Sequence, residues 1–319
     1  MKAAVVGEKG LELREVPQPK PKPNEVLVKV EFAALNRADL MLVWRAEPGK
    51  TVIPGLEWSG EVVEAGAETK GFKPGDRVMC SGAAGYAEYC VTDWGRVLQL
   101  PKNLDFEKGA TYLLALQTMH DAVITNGRMK TGESVLILGA SSGVGLMGMQ
   151  IAKHMGAKLV MGTSRNASHR ERFKEFSCDL AIDTESPLWP QEVLKATGGK
   201  GVDVVVDQVS GKLVNPAMQA MAVLGRMVNV GRLGGNSGEI DFGHHALRRI
   251  SYIGVTFRTR SLDEVREITR KMKADLWDAV EGGRLSLPID KVFPLAEAEA
   301  AQAHMRANAH FGKVLLKTS

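Results

Sequence analysis

The feature that most constrains the fold of this chain is a regular alternation of strand-like and helix-like segments between residues 134 and 255. Short apolar runs are separated by segments with helical spacing, and these runs are SVLIL, KLVMGT, LAID, VDVVVD, RMVNV and SYIGV. The run VDVVVD is nearly continuous in apolar residues, as expected of a strand that helices cover on both sheet faces. Repeated strand–helix units of this kind predict a doubly wound parallel sheet, which places the chain in the α/β class.

The first third of the chain has a different pattern, in which short alternating runs such as EVLVKVEFAAL and DRVMC are separated by Pro and Gly. A length of 319 residues allows about two domains of roughly 150 residues each. Residues 106–127 have helical spacing and predict one helix at the junction. We therefore predict a β-rich domain over residues 1–116, rejoined by residues 260–319, and a parallel-sheet domain over residues 117–259.

Charge and composition argue against several classes of function. The net charge is +4, and the basic residues are scattered rather than gathered into a nucleic-acid surface. No apolar run approaches the roughly 20 residues that a membrane span requires, and the N-terminus has no secretory pattern. The three cysteines form no C-x-x-C pair and are expected to be reduced. We therefore expect a cytoplasmic protein that binds neither nucleic acid nor membranes.

The stretch LILGASSGVG, residues 136–145, lies at a junction of strand and helix and has the character of a nucleotide-binding turn. Small residues let the backbone approach a pyrophosphate closely, and the helix N-terminus supplies free N–H groups and a favourable dipole. Ala140 and Ser142 stand at the first two glycine places of a G-x-G-x-x-G fingerprint, so the surrounding strand–helix units carry most of the signal. The predicted cofactor contacts are Ser142, Gly143, Val144 and Gly145.

Two kinds of oxidoreductase carry a turn like this one. In short-chain dehydrogenases it lies near the N-terminus, and a Tyr-x-x-x-Lys pair performs the acid–base chemistry. Here the turn follows a β-rich segment, and the residues four positions after the tyrosines are Cys90, Asp93, Leu116 and Thr256. Because none of these residues is lysine, that family is excluded.

The whole chain resembles the medium-chain dehydrogenase/reductase superfamily. Motifs typical of it occur in order along the sequence, as ALNRADL, IPGLEWSGEVVEAG, FKPGDRV, GYAEY, GASSGVGLMGMQIAK and GKVLL. The resemblance implies a GroES-like β domain, rejoined by the C-terminal segment, and a Rossmann domain inserted between. Relatives commonly dimerise through the edges of their Rossmann sheets, so residues 248–257 are a candidate edge strand and a homodimer is expected.

Zinc-dependent alcohol dehydrogenases of this superfamily have a cysteine where this chain has Asn36 and a histidine where it has Leu56. Neither residue supplies the thiolate or imidazole that zinc requires, so no metal is expected. The chain therefore resembles the zinc-lacking quinone oxidoreductase branch. Without a Lewis acid, the suited reaction is hydride delivery from a reduced nicotinamide to an electrophilic small molecule, a quinone or an α,β-unsaturated carbonyl.

The resemblance places Asn36 and Arg37 near the nicotinamide as candidate catalytic residues. Asn36 would orient the nicotinamide carboxamide or the substrate, or alternatively form a turn; the alternative for Arg37 is a surface arginine. Thr118 resembles a threonine that the family places beside the nicotinamide, and its alternative is a plain helix hydroxyl. Some related enoyl reductases use a tyrosine shortly after this region as proton donor, but residues 40–49 contain none, so the donor stays open.

The end of the second strand of the parallel sheet bears on the form of the cofactor. NAD-specific folds place an acid about 20 residues after the turn, where it bonds the ribose 2′-hydroxyl. Here the strand ends in Thr163, Ser164 and Arg165, which offer hydroxyls and a guanidinium suited to a phosphate. NADPH is therefore expected, with His169 at a position where relatives often carry lysine. Later strand ends add three candidate cofactor contacts, Gly231, Arg232 and Phe257.

The leading hypothesis is an NADPH-dependent reductase of quinones or activated alkenes. A second hypothesis is a protein that kept the NADPH site but serves a structural or nucleic-acid-binding role, as some crystallin-like relatives imply. A third is an alcohol dehydrogenase, which the missing zinc ligands disfavour.

Overall fold

The computed structural model of the chain describes residues 1–8, 10–44 and 51–318. It divides into a β-rich unit, made of Met1–Leu114, Ser261–Lys271 and Leu287–Ser319, and a parallel-sheet unit, made of Ala115–Arg260 and Met272–Ser286. The sequence assigned all of residues 260–319 to the first domain, whereas the structure places Met272–Ser286 with the second. Hydrogen bonds explain this difference, because the Gln150 amide donates to the carbonyl of Ser286 at 2.8 Å and accepts from its N–H at 3.0 Å.

The strands, in chain order, are β1 (Lys2–Gly7), β2 (Gly10–Glu15), β3 (Glu25–Ala34), β4 (Glu57–Ala65), β5 (Arg77–Ser81), β6 (Tyr89–Asp93), β7 (Val97–Gln99), β8 (Ser134–Leu138), β9 (Leu159–Thr163), β10 (Leu180–Ile182), β11 (Val202–Asp207), β12 (Met221–Asn229), β13 (Ser251–Gly254), β14 (Ile289–Pro294) and β15 (Lys313–Lys317). The α-helices are α1 (Arg37–Trp44), α2 (Phe106–Gly109), α3 (Leu113–His120), α4 (Gly143–His154), α5 (Ala167–Arg172), α6 (Trp189–Ala196), α7 (Val214–Ala220), α8 (Phe242–Arg248), α9 (Leu262–Glu281) and α10 (Ala298–Arg306). Within the described ranges, none of these helices is long and apolar enough to cross a membrane.

The parallel-sheet unit is a Rossmann fold. Its six strands lie in the order β10-β9-β8-β11-β12-β13, and every neighbouring pair is parallel. This is the 3-2-1-4-5-6 order of a dinucleotide-binding sheet, in which the direction of winding reverses between the first and fourth strands, here β8 and β11. Every residue of β8 and β11 is buried, because helices cover both faces. The predicted doubly wound parallel sheet is confirmed.

The β-rich unit contains a largely antiparallel sheet of seven strands. Its order is β14-β15-β3-β4-β5-β7, and β6 also pairs with β3. The C-terminal strand β15 pairs antiparallel with β3, with Leu316 opposite Ala33, so the end of the chain completes the sheet that its beginning starts. Trp58 and Tyr86 are fully buried in the core of this unit. The predicted GroES-like β domain is confirmed.

The single helix predicted over residues 106–127 is wrong. The structure has α2, then α3, and then a π-helical segment over Asp121–Asn126. The Thr111 hydroxyl donates to the carbonyl of Lys108 at 2.8 Å and thereby competes with continuation of α2. At the other end, the N–H of Gly127 donates to the carbonyl of Ala122, five residues earlier, which is the π-helical pattern. Apolar spacing is the same throughout, so periodicity alone could not show either break.

Strand β13 forms one end of the six-stranded sheet, and it carries the half-exposed Tyr252. This is the strand that the sequence proposed as a dimer edge. The homodimer stays a prediction.

Leu136, fully buried in the core of the parallel-sheet unit, provides a test of this packing. Leu136→Ala should lower the free energy of unfolding of that unit by about 3 kcal/mol, because the cavity adds to the lost transfer energy. Leu188, which is 61% exposed, is the matched control, and Leu188→Ala should change stability by less than about 0.5 kcal/mol. Equilibrium denaturation followed by circular dichroism measures both. Equal effects of the two substitutions would contradict the assigned core.

Candidate functional site

The turn between β8 and α4 is fixed by contacts across the reversal point of the parallel sheet. The Ser142 hydroxyl lies 3.1 Å from Oε1 of Gln208, which directly follows β11, and 3.3 Å from the carbonyl of Gly139. The Gln208 amide donates to the carbonyls of Leu138 and Gly139, each at 3.3 Å. Gln208 therefore joins the two strand ends where open α/β sheets bind their ligands. Sequence reasoning missed it, because nothing in VVVDQVSG marks the glutamine as a neighbour of the turn.

The N-terminus of α4 has the features of a phosphate site. Ser142 caps the helix by accepting from the N–H of Gly145 at 3.0 Å. A Cβ placed on Gly145 would lie 2.7 Å from Cα of Ala140, so only glycine permits this close approach of turn and helix. The N–H groups of Gly143 and Val144 begin the helix, where intrahelical acceptors are lacking, and they are available to an anion. The structure thus brings together all four residues predicted from this turn.

Two residues at the end of β9, Thr163 and Ser164, have hydroxyl groups with different hydrogen-bond partners. Thr163 accepts at its hydroxyl from the N–H of Gly139 at 3.0 Å and at its carbonyl from the N–H of Ala140 at 2.9 Å. Thr163 is therefore buried beneath the turn and positions it, and its predicted contact with a cofactor stays a prediction. Ser164 follows, and its hydroxyl accepts from the N–H of Asn166 at 3.2 Å, so its own proton remains to be donated.

Arg165 extends from this strand end into solvent, with 73% of its side chain exposed and Nη1 3.9 Å from Oε1 of Glu185. His169, a predicted cofactor contact, is buried on α5. Its neighbour Arg170 instead contacts the strand end, because Nη1 donates to the carbonyl of Ser164 at 2.7 Å. Sequence reasoning did not single out Arg170, although it directly follows His169.

The ends of β11 and β12 meet in a buried polar cluster. Asp207 accepts from the N–H groups of Val209 and Ser210 at 2.9 and 2.8 Å, and burial raises the pKa of its carboxyl. The Asn229 amide donates to the Ser210 hydroxyl at 2.5 Å. Ser210 has a φ of 61° and a ψ of −153°, a backbone conformation that is otherwise nearly confined to glycine and persists only when the surroundings hold it. The aspartate that ends VDVVVD was the available signal for this cluster.

Of the remaining predicted cofactor contacts, Gly231, Arg232 and Phe257 lie near strand ends, and Thr118 lies on α3. A Cβ on Gly231 would lie 2.6 Å from the carbonyl oxygen of Gln208, so this glycine allows the backbone to pass close to the reversal point. Arg232 is exposed, Phe257 is half-buried, and Thr118 is half-buried on α3. Their contacts with a cofactor stay predictions.

In the β-rich unit, Asn36 belongs to a buried charged network. Nζ of Lys313 donates to Oδ1 of Asn36 at 3.0 Å and forms an ion pair with Oε1 of Glu57. Nδ2 of Asn36 donates to the same Glu57 oxygen at 3.0 Å and to the carbonyl of Ala34 at 3.3 Å. The other Glu57 oxygen accepts from the N–H of Leu114 at 3.1 Å. Asn36 therefore does not simply form a turn, since three other groups fix its carboxamide.

Asp39 lies beneath this network and is inaccessible to solvent. Its carboxylate accepts from the N–H of Asn36 at 2.8 Å, from the Tyr86 hydroxyl at 3.0 Å and from the N–H of Gly55 at 3.3 Å. Burial raises the pKa of Asp39 to about 7, although these hydrogen bonds and the charge of Lys313 act in the opposite direction. Asp39 thus holds the start of α1 and titrates near neutral pH.

Arg37, the second catalytic candidate, forms hydrogen bonds at the C-terminal end of α10. Its guanidinium donates to the carbonyl of Met305 at 3.1 Å and to Oδ1 of Asn308 at 2.7 Å. A cation at this position satisfies and complements the last carbonyls of a helix. The structure gives Arg37 a packing role, and its catalytic role stays a prediction. Residues 45–50 of the tyrosine-free stretch after it lie outside the described residues.

Comparison with known proteins agrees with this architecture. Residues 143–274 match the family described as zinc-binding dehydrogenase, and residues 22–102 match the alcohol dehydrogenase GroES-like domain. The chain is 29% identical to the quinone oxidoreductase of Homo sapiens, over 97% of this chain and 94% of that protein. It is 30% identical to the quinone oxidoreductase of Lama guanicoe, over 95% and 91%.

Two solved structures resemble the whole chain but differ in cofactor. One is an NAD-dependent alcohol dehydrogenase, 30% identical, with a TM-score of 0.86 and full coverage of both chains. The other is a mycobacterial protein complexed with NADPH, 26% identical, with a TM-score of 0.89 and full coverage of both. The chain belongs to the medium-chain dehydrogenase/reductase superfamily, in which it is similar to the quinone oxidoreductases. It is an oxidoreductase with a nicotinamide cofactor, for which the capped, glycine-lined N-terminus of α4 is a suitable phosphate site.

The name of the matched family raises the question of zinc. Among the residues that the structure describes, no three or more His, Cys, Asp or Glu side chains form a group that could hold a metal ion. Around Asn36, the cation within hydrogen-bonding distance is the Lys313 ammonium. The donor set there, an amide, one carboxylate and an ammonium, lacks the soft ligands that structural and catalytic zinc sites use.

The raised pKa of Asp39 predicts how stability changes with pH. Between pH 4 and 7 the folded protein keeps a proton on Asp39 that the unfolded chain has lost, so stability falls as pH rises through this range. The slope of this contribution is at most about 1.4 kcal/mol per pH unit. Asp39→Asn should remove it, so the stability of the variant relative to the parent should increase from pH 5 to pH 7.

Denaturant unfolding at several pH values measures this difference. Glu64→Gln, at an exposed acid of the same unit, serves as the control and should leave the pH profile parallel to that of the parent. A parallel profile for Asp39→Asn would show that Asp39 is ionised throughout.

Proposed function

We propose that this chain is an NADPH-dependent reductase that acts on quinones or α,β-unsaturated carbonyls without a metal ion. The observation that carries the proposal is the contact of the Lys313 ammonium with Asn36 and Glu57. In this superfamily the positions of Asn36 and Leu56 hold zinc ligands when the enzyme oxidises alcohols. Here an internal ammonium is bonded to the residue at one of these positions, and its fixed charge would oppose a divalent cation beside it.

The network also limits what Asn36 can do chemically. Both N–H groups of its amide are engaged, by Glu57 and by the carbonyl of Ala34, while Lys313 uses one of the two lone pairs on Oδ1. One acceptor position therefore remains. Asn36 would orient a bound group by accepting a hydrogen bond, for example from the nicotinamide carboxamide, and it is unsuited to stabilising a developing oxyanion by donation.

A substrate for such a site must already be electrophilic. Reduced nicotinamide, when bound, supplies the hydride. Among the residues that the structure describes, Asn36 has both amide N–H groups engaged, so it has no free donor with which to polarise a simple carbonyl. Quinones and enones need less activation, because delocalisation of charge over their π-system stabilises the reduced product. The medium-chain relatives named quinone oxidoreductases support this substrate class.

The cofactor form follows from the end of β9. Ser164 keeps a hydroxyl proton to donate, and Arg165 is an exposed guanidinium beside it, a pair suited to a phosphate rather than to a free ribose hydroxyl. The residues that end this strand include no carboxylate of the kind that NAD-specific folds use.

Turnover with a substrate panel tests the proposal. The protein should oxidise NADPH repeatedly with 1,4-benzoquinone or 2-cyclohexenone, and the saturated ketone should accumulate from the enone. Absence of turnover with both would favour the binding-protein hypothesis. Oxidation of primary or secondary alcohols with NADP⁺ at a higher kcat/KM than enone reduction would contradict the proposal in favour of an alcohol dehydrogenase.

Substitution of Arg165 tests the form of the cofactor. Arg165→Ala should weaken the binding of NADPH by about 10- to 150-fold, as expected for the loss of hydrogen bonds to a charged group. The binding of NADH should change little. Arg172→Ala, at an arginine that pairs with Glu175 on the neighbouring turn, is the control. Comparison of kcat/KM for both cofactors measures the effect. Equal losses for NADH and NADPH would give Arg165 a general structural role.

A further inference from the structure

Two acids lie near the proposed phosphate-binding strand end. Asp183 directly follows β10, the neighbour of β9 in the sheet, and Glu185 comes two residues later. The N–H of Ser164 donates to the carbonyl of Ile182 at 3.1 Å, so the residues before Asp183 adjoin the predicted phosphate contact. An uncompensated carboxylate here would repel a 2′-phosphate and would favour a cofactor with a free ribose.

Arg170 compensates this charge and at the same time fixes the strand end. Nη2 of Arg170 lies 3.0 Å from Oδ2 of Asp183, while Nη1 donates to the carbonyl of Ser164 at 2.7 Å. The other oxygen of Asp183 accepts from the N–H of Glu185 at 3.0 Å, so the carboxylate is held in one orientation. With 21% of its side chain exposed, Arg170 is far less accessible than Arg165.

We propose that Arg170 is a second determinant of the preference for NADPH, and that it acts through Asp183 rather than by touching the phosphate. Its guanidinium cancels the charge of Asp183 and anchors the Ser164 carbonyl, which leaves the Ser164 hydroxyl and Arg165 to face the ligand. Arg170 is thus a positioning residue. This inference rests on the proposed NADPH dependence.

A double-mutant cycle separates this mechanism from its alternatives. Arg170→Met keeps the aliphatic packing but leaves Asp183 charged, so the dissociation constant for NADPH should rise about 10-fold while that for NADH stays unchanged or falls. Asp183→Asn alone should leave NADPH binding unchanged or tighten it. The dissociation constant of the double variant for NADPH should return to within about threefold of the parent's value, because the repelling charge of Asp183 is gone.

Fluorescence titration of the purified proteins with NADPH and NADH gives the dissociation constants without reference to turnover. The NADPH loss in Arg170→Met should shrink as salt is raised from about 0.05 to 0.5 M, since exposed charges are screened. Arg172→Met, on the same helix, is the matched control and should leave both constants unchanged. Thermal unfolding of each variant shows whether the fold is retained.

The outcomes are distinguishable. A parent that binds NADH more tightly than NADPH overturns the proposed cofactor, whatever the cycle shows. If the parent prefers NADPH, an equal loss of both cofactors in Arg170→Met makes Arg170 a purely structural residue. A selective loss of NADPH that Asp183→Asn does not rescue means that Arg170 contacts the phosphate itself. Either of the last two results overturns the role assigned to Arg170 and leaves the proposed function standing.

Discussion

The ion pair of Lys313 and Glu57 is the interaction on which the proposed catalytic residue depends. Both side chains are buried, with 3% and 1% exposed, so their removal from water carries a large penalty that only good geometry can offset. That geometry is present, because the pair is bonded in addition to Asn36 and to the N–H of Leu114. The pair thus joins β15, β4, the start of α1 and the start of α3. Breaking it would leave an uncompensated buried charge and release the Asn36 carboxamide.

The cofactor turn is held in a contrasting way. Hydroxyl and amide groups of Ser142, Thr163 and Gln208 form hydrogen bonds to the backbone of the turn. Glycines at 145 and 231 keep the backbones close enough for these short side chains to reach. Neutral contacts of this kind leave the dipole of α4 uncompensated, and an anion at its N-terminus gains the most from that. The two sites are therefore held differently: an ion pair fixes the surroundings of Asn36, and neutral hydrogen bonds fix the cofactor turn.

The elements of the parallel-sheet unit could be predicted well because their signals are local. The helix Gly143–His154 begins within the turn that the sequence identified, and the six predicted strands lie in one parallel sheet. Gly145 could be recognised from the turn that it belongs to. The break near Thr111 could not, since it depends on a side-chain hydrogen bond that apolar spacing does not reflect.

The residues that the sequence missed are those whose partners are distant. Lys313 lies 277 residues from Asn36, and Gln208 lies 66 residues from Ser142, so no spacing rule connects them. Arg170 and His169 are neighbours, and helix geometry alone decides that one is buried while the other reaches Asp183. Thr163 was identified by its position, but the sequence did not show that its hydroxyl accepts a hydrogen bond from the turn. The positions of these residues depend on long-range packing, which the sequence motifs do not reveal.

The central claim, that this chain reduces its substrate without a metal ion, is tested most directly by metal analysis of the active protein. The account predicts that protein purified with full reductase activity contains far less than one zinc per chain by mass spectrometry. Dialysis against a strong chelator should leave its turnover with NADPH unchanged. Stoichiometric zinc, whose removal abolishes turnover and whose return restores it, would contradict the account.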